Sequence, residues 1–126
     1  MAAGDVLRSF VSPAGQPRGL AWDGRRLWNC DDGTGLIYQI DPATGTVVRS
    51  FASPAGVPLG LTWDGRTLWH CDFGANLIYQ IDPVTGTVIR SFATPSDQPE
   101  TGVAWDGRTL WIDDLGTNLI YQVSVN

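Results

Sequence analysis

The chain has 126 residues, one domain's length, with 43% hydrophobic and only 17% charged residues, a composition that excludes a disordered chain. Eight basic against thirteen acidic residues give a net charge of −5, which argues against a nucleic-acid groove or an anionic-membrane patch. No run approaches the ~18 apolar residues of a membrane-spanning helix, and the opening MAAGDVLRSF shows no basic-then-apolar secretory signal.

Six Trp, fifteen Gly and eight Pro point to short strands joined by tight turns. The chain also repeats itself. Val6–Thr46 and Val47–Thr87 align without gaps, with 30 of 41 positions identical. A third copy, Val88–Asn126, carries one inserted residue near Glu100. Trp22 to Trp63 spans 41 residues and Trp63 to Trp105 spans 42. A period near forty with strand patterning predicts propeller blades of four antiparallel strands. Internal identity at this level fits recent duplication or deliberate repetition.

In chain order, the first predicted element is Val6–Phe10, which matches the fourth strand of a blade. The second copy shows a whole blade. Gly60–Trp63 is its first strand, and Asp64-Gly65-Arg66 turns into the second, Thr67–Cys71, because Gly tolerates positive φ. Leu77–Ile81 is the third. Asp82–Gly86, with Pro83 suited to a type I turn, leads to the fourth, Thr87–Phe92. A loop over Thr94–Pro99 enters the third copy, whose third strand is Leu119–Val123.

Twelve strands result, three blades' worth, permuted by one strand. Propellers typically close with 4–8 blades, so three leave two apolar faces that need a partner. The expectation is an all-β chain, a single half-propeller over 1–126. Its repeats are 6–46, 47–87 and 88–126, the last completed by strand 6–10 of a partner chain. A homodimer would make a six-bladed ring. Three chains and nine blades would close around a wider channel.

The pattern Pro-x-Gly-Leu-x-Trp-Asp-Gly-x-x-Leu-Trp-x-x-Asp-x-x-x-Asn-x-Ile is carried by Pro58, Gly60, Leu61, Trp63, Asp64, Gly65, Leu68, Trp69, Asp72, Asn76 and Ile78. It resembles an NHL-type blade, and is similar to blades of the gluconolactonase, streptogramin-lyase and plant-type glutaminyl-cyclase propellers. The resemblance implies strands radiating from a central channel, first strands innermost. It carries little about activity, since one fold hosts many functions. Those enzymes vary their catalytic residues from blade to blade, whereas these copies are nearly alike. The resemblance also implies that Asp31, Asp72 and Asp114 bond turn backbone and an Asn three to four residues on. Asn76 and Asn118 match that role and Gly35 departs from it.

Other candidates follow from residue type. Asp23, Asp64 and Asp106 are turn residues, with Arg25, Arg66 and Arg108 solvated beside them. Cys30 and Cys71 occupy equivalent positions in adjacent sheets ~10 Å apart, too far for a disulfide. Two free thiols suit a reducing, cytoplasmic setting. His70 is the single histidine; it cannot serve Cys71, because strand neighbours point to opposite faces. Neither a metal nor a cofactor is expected. Trp22, Trp63, Trp105, Trp28, Trp69 and Trp111 read first as core, second as stacking platforms for sugars. Arg18, Leu59 and Thr101 precede the Gly of each first strand, and with Glu100 they are expected near the channel mouth, where a small polar ligand could sit. The best-supported function is a self-assembling scaffold or binding module without catalysis, whose partner is itself. A lectin-like binder is the alternative, and a metal-dependent lactonase or lyase the third.

Overall fold

A computed structural model describes residues 2–96 and 100–126. Among these residues the chain forms eleven strands: β1 Pro17–Trp22, β2 Leu27–Asp31, β3 Leu36–Ile40, β4 Val47–Ala52, β5 Pro58–Trp63, β6 Leu68–Asp72, β7 Leu77–Ile81, β8 Val88–Ala93, β9 Glu100–Trp105, β10 Leu110–Asp114 and β11 Leu119–Val123. They make three antiparallel sheets in simple up-and-down order, β1–β4, β5–β8 and β9–β11. Among the described residues no helix is long and apolar enough to cross a membrane. The loop expected over residues 94–99 is described as far as Ser96; residues 97–99 lie outside the described residues.

The sheets stack face to face with β1, β5 and β9 side by side. Two cores result. Trp28, Cys30 and Ile37 of the first sheet pack on Leu61, Leu68, Tyr79 and Ile81 of the second. Trp69, Cys71 and Ile78 of the second pack on Leu110 and Ile112 of the third. Each inner sheet face therefore alternates large apolar residues at period two, as a strand buried on that face requires. Glycine sets the spacing of the first strands. A Cβ at Gly19 would lie 2.8 Å from the Leu59 carbonyl oxygen, and one at Gly60 would lie 3.1 Å from the Val103 nitrogen.

The Asp-Gly hairpins do more than turn the chain. Asp64 Oδ1 accepts the amides of Arg66 and Thr67, both at 2.8 Å, while Oδ2 accepts Trp69 Nε1 at 2.8 Å. Asp23 holds Trp28 in the same way at 2.9 Å, and Asp106 holds Trp111 at 2.8 Å. Gly24, Gly65 and Gly107 follow at φ 99°, 102° and 103°, a region open to Gly at no steric cost.

The strand bounds differ slightly from expectation. β5 starts at Pro58, because Pro58 pairs with Asp72 across a bulge at Leu59. Val6–Phe10 forms no strand among the described residues, so eleven of the twelve expected strands are seen; the twelfth was expected only against the last sheet of a partner chain. A strand exists through its ladder, and among the described residues no strand pairs with that segment.

Asp64→Ala removes four accepted hydrogen bonds, from the Arg66 and Thr67 amides, the Thr67 hydroxyl and the indole, and leaves the buried Trp69 N–H without its partner. The expected loss is about 2 kcal/mol of unfolding free energy in chemical denaturation, and less for Asp64→Asn. A change below about 0.5 kcal/mol, the size of an ordinary surface substitution, would contradict the role of the Asp–Trp anchor.

Candidate functional site

The most distinctive surfaces are the two outer sheet faces. Trp28 and Trp69 are each 1% exposed, but their counterpart Trp111 on β10 is 39% exposed; Ile37 and Ile78 are fully buried, but Ile120 is 73% exposed. On the opposite end of the stack, Leu20 is 63% exposed where Leu61 is 5%. Each face is hollowed. A recess of about 270 Å³ is lined by Val103, Trp111, Asp113 and Ile120. Another of about 380 Å³ is lined by Phe10, Pro17, Arg18, Leu20, Asn29 and Ile40.

The segment before β1 is docked beside the second recess. A Cβ at Gly45 would lie 2.5 Å from Phe10 Cγ, and a Cβ at Gly86 would lie 2.5 Å from Phe51 Cγ. Arg8 Nη1 approaches the Ala43 carbonyl at 3.4 Å, and Arg49 Nη1 donates to the Val84 carbonyl at 3.0 Å. Phe51 and Arg49 belong to β4, the outer strand of the sheet that precedes β5–β8. Residues 8–10 therefore lie on the first sheet as β4 lies on the second.

The four residues expected near the channel mouth lie at equivalent ends of the first strands, in different settings. Arg18 Nε donates to Asp32 Oδ2 at 2.7 Å. Leu59 is half-buried against the second core. Thr101 donates to Asp113 Oδ1 at 3.3 Å. Glu100 is 1% exposed, enclosed beside Thr94 and Asp114. Of the six Trp, Trp28 and Trp69 offer no free ring face, Trp63 and Trp105 pack half-buried on the cores, and Trp22 and Trp111 stand on the outer faces.

Cys30 and Cys71 are free and buried. Burial pushes the first thiol up to about 11 and the second up to about 12, so neither forms the reactive thiolate near neutral pH. His70 is fully buried, its Nδ1 3.2 Å from the Gly60 carbonyl and its Nε2 3.2 Å from Asp72 Oδ2. Asn29 fills the equivalent place, donating Nδ2 to the Gly19 carbonyl at 3.0 Å. Both side chains tie the first strand to the second. Among the described residues no group of three His, Cys, Asp or Glu side chains is placed to hold a metal ion.

The carboxylates closing each second strand are latches. Asp31 accepts the Gly33 amide at 2.9 Å, the Thr34 amide at 3.0 Å and the Gln16 amide at 2.8 Å. Asp72 accepts the Val57 amide at 2.9 Å. Asp114 accepts the Gly116 and Thr117 amides at 2.9 and 3.0 Å and the Ser96 hydroxyl. Burial pushes Asp31 and Asp114 up, but these donors outweigh it and hold both below the usual carboxylate range. Among the described residues no bond joins these carboxylates to Asn76 or Asn118. Those Asn instead adopt φ 57° and 59°, and Gly35 adopts 69° at the same position. The expected Asp–Asn bond is thus replaced by a left-handed turn residue, a role that Asn and Gly share, and Gly35 preserves it.

No protein-family model and no curated protein matches the chain. Solved structures do. Virginiamycin B lyase from Staphylococcus aureus is 20% identical, with a TM-score of 0.71 over 100% of this chain and 47% of that one. Glutaminyl cyclase from Myxococcus xanthus is 16% identical, TM-score 0.71, over 86% and 47%. The WD40 β-propeller domain of Doa1 is 18% identical, TM-score 0.69, over 87% and 37%. The chain therefore has a β-propeller fold and spans less than half the length of these structures.

Burial first, then the Asp114 charge, holds the Glu100 carboxyl above its usual range. A raised folded-state value favours folding below the unfolded value of ~4.3 and loses that contribution as pH rises through the folded value. Glu100→Gln is accordingly expected to raise the melting temperature at pH 7 and to leave it unchanged near pH 3. A lower melting temperature at pH 7 would contradict this burial account.

Proposed function

We propose that this chain is a self-assembling propeller module: two copies close head to tail into a six-sheet ring that serves as a scaffold or binding unit. The observation that carries this reading is the docking of residues 8–10 on the first sheet in the manner of β4 on the second. The segment occupies the outer-strand place of a preceding sheet, while the β9–β11 sheet has three strands and an unpaired β11 edge among the described residues. The β7–β8 ladder pairs Leu77 with Ala93, Ile78 with Phe92 and Gln80 with Arg90. Transferred to β11, it sets Leu119 opposite Val11, Ile120 opposite Phe10, and Gln122 opposite Arg8 of the second copy.

Two further features support closure. The three atoms nearest a Cβ at Gly102 all belong to Asp113 of its own sheet, whereas the equivalent Gly19 and Gly60 lie against a neighbouring first strand. The exposed Leu20, Trp22, Trp111 and Ile120 would each add to the seam by losing the apolar surface they still present, at about 25 cal/mol per Å². A two-copy ring is the economical closed form; a nine-sheet ring of three copies has the same seams and a wider channel. Within the ring, Arg18, Leu59 and Thr101 of both copies would rim one end of the channel, the natural ligand position of the fold. Binding is favoured over catalysis by the burial of both thiols and by the packing role of His70. The sugar-platform reading draws no support from Trp28 and Trp69, whose rings are enclosed.

Deleting residues 1–10 tests the strand exchange. The shortened chain is expected to sediment as single chains at concentrations where the full chain is paired, and to melt at lower temperature. An unchanged assembly and melting temperature would overturn the proposed closure.

A further inference from the structure

The seam between copies, which rests on the ring reading above, would join the outer face of β1–β4 to the outer face of β9–β11. The two junctions inside the chain show what such a seam contains. At the first, Cys30 Sγ reaches across to the Leu59 carbonyl at 3.6 Å; at the second, Cys71 Sγ reaches the Glu100 carbonyl at 3.8 Å. Asp113 holds that position on β10, beside Gly102 on the open face. A first strand seated there in the same manner would aim its backbone carbonyl at a carboxylate. Two acceptors facing each other need a donor between them, and a desolvated carboxylate needs a cation.

The opposite face carries that cation. Of the three first strands, PRGLAW, PLGLTW and ETGVAW, Arg18 is the only basic residue. Its counterparts Leu59 and Thr101 are uncharged. Its side chain is 51% exposed and lines the recess of the first sheet. Nε is engaged by Asp32, and the planar guanidinium keeps further N–H donors for a second carboxylate. The charges thus occur in the two copies of the repeat whose outer faces never meet within one chain, and at strand positions that are apolar or neutral at the inner junctions.

We propose that Arg18 of one copy and Asp113 of the next form an ion pair across each seam, selecting a second copy in head-to-tail order. A head-to-head contact would set Asp113 against Asp113, or Arg18 against Arg18, and like charges at an interface are strongly unfavourable.

The test uses two full-length variants, Arg18→Glu and Asp113→Arg, with circular dichroism to establish that each folds. Alone, each sets like charges across every seam, and its pairing is expected to weaken at least about 30-fold in dissociation constant. Mixed in equal amounts, they alternate, one seam native and the other reversed, so native mass spectrometry should show a complex of one copy of each. A three-copy ring cannot alternate two chains without one repulsive seam. The double variant in a single chain should regain wild-type pairing. If the wild type pairs but both single variants pair as tightly, or if mixing restores nothing, the ion pair is overturned and the ring stands. If the wild type stays single at all concentrations, the ring reading falls, and the pair with it.

Discussion

Every sheet in this chain carries large apolar side chains on both faces, and no such sheet is stable alone. That constraint organises the rest. The face carrying Trp28, Cys30 and Ile37 is covered by the second sheet, and the face carrying Trp69, Cys71 and Ile78 by the third. Stacking works because the first strands can approach closely at Gly19 and Gly60. The same stacking leaves one face bare at each end. In a repeat architecture a unit is stabilised by its neighbours, so the end faces are the chain's unsatisfied energetic terms.

Local chemistry serves that stack. The hairpin aspartates turn the chain and fix the indole of the Trp that fills the space between sheets. The aspartates closing the second strands accept amides from the segment that enters each first strand, as Asp31 does from Gln16 and Asp72 from Val57. A buried acceptor supplied with several donors remains ionised at low cost, which suits a position used in every repeat. The third sheet departs from this pattern at Glu100, which stands where Pro17 and Pro58 stand in the first two and brings a second carboxyl beside Asp114.

Much of this was legible in the sequence because the repeat is its own alignment. The positions of Leu77–Ile81 and Leu119–Val123 followed from period-two patterning between turn residues. The Asp–Trp bond was less visible: the spacing Asp64-Gly65-Arg66-Thr67-Leu68-Trp69 recurs in all copies, yet only the folded hairpin brings an indole at i+5 back to the carboxylate. The left-handed turns at Asn76 and Asn118 were hidden by an expectation of side-chain bonding, although the Gly35 substitution was the clue to a conformational role. Val6–Phe10 has strand sequence without a strand's ladder, since pairing depends on an edge that the segment does not find in its own chain. The burial of Glu100 was not readable either, because its counterparts Pro17 and Pro58 carry no charge and a carboxyl at a strand end is ordinarily solvated.

Where the two outer faces find cover is the question on which the ring depends. Light scattering across a sizing column, over a wide range of loading concentrations, addresses it most directly. The account predicts a stable mass of about 27 kDa, twice the 13.6 kDa chain, as expected for a closed two-copy ring. A mass of 13.6 kDa at every concentration would contradict it and would mean that a single chain tolerates both bare faces in water.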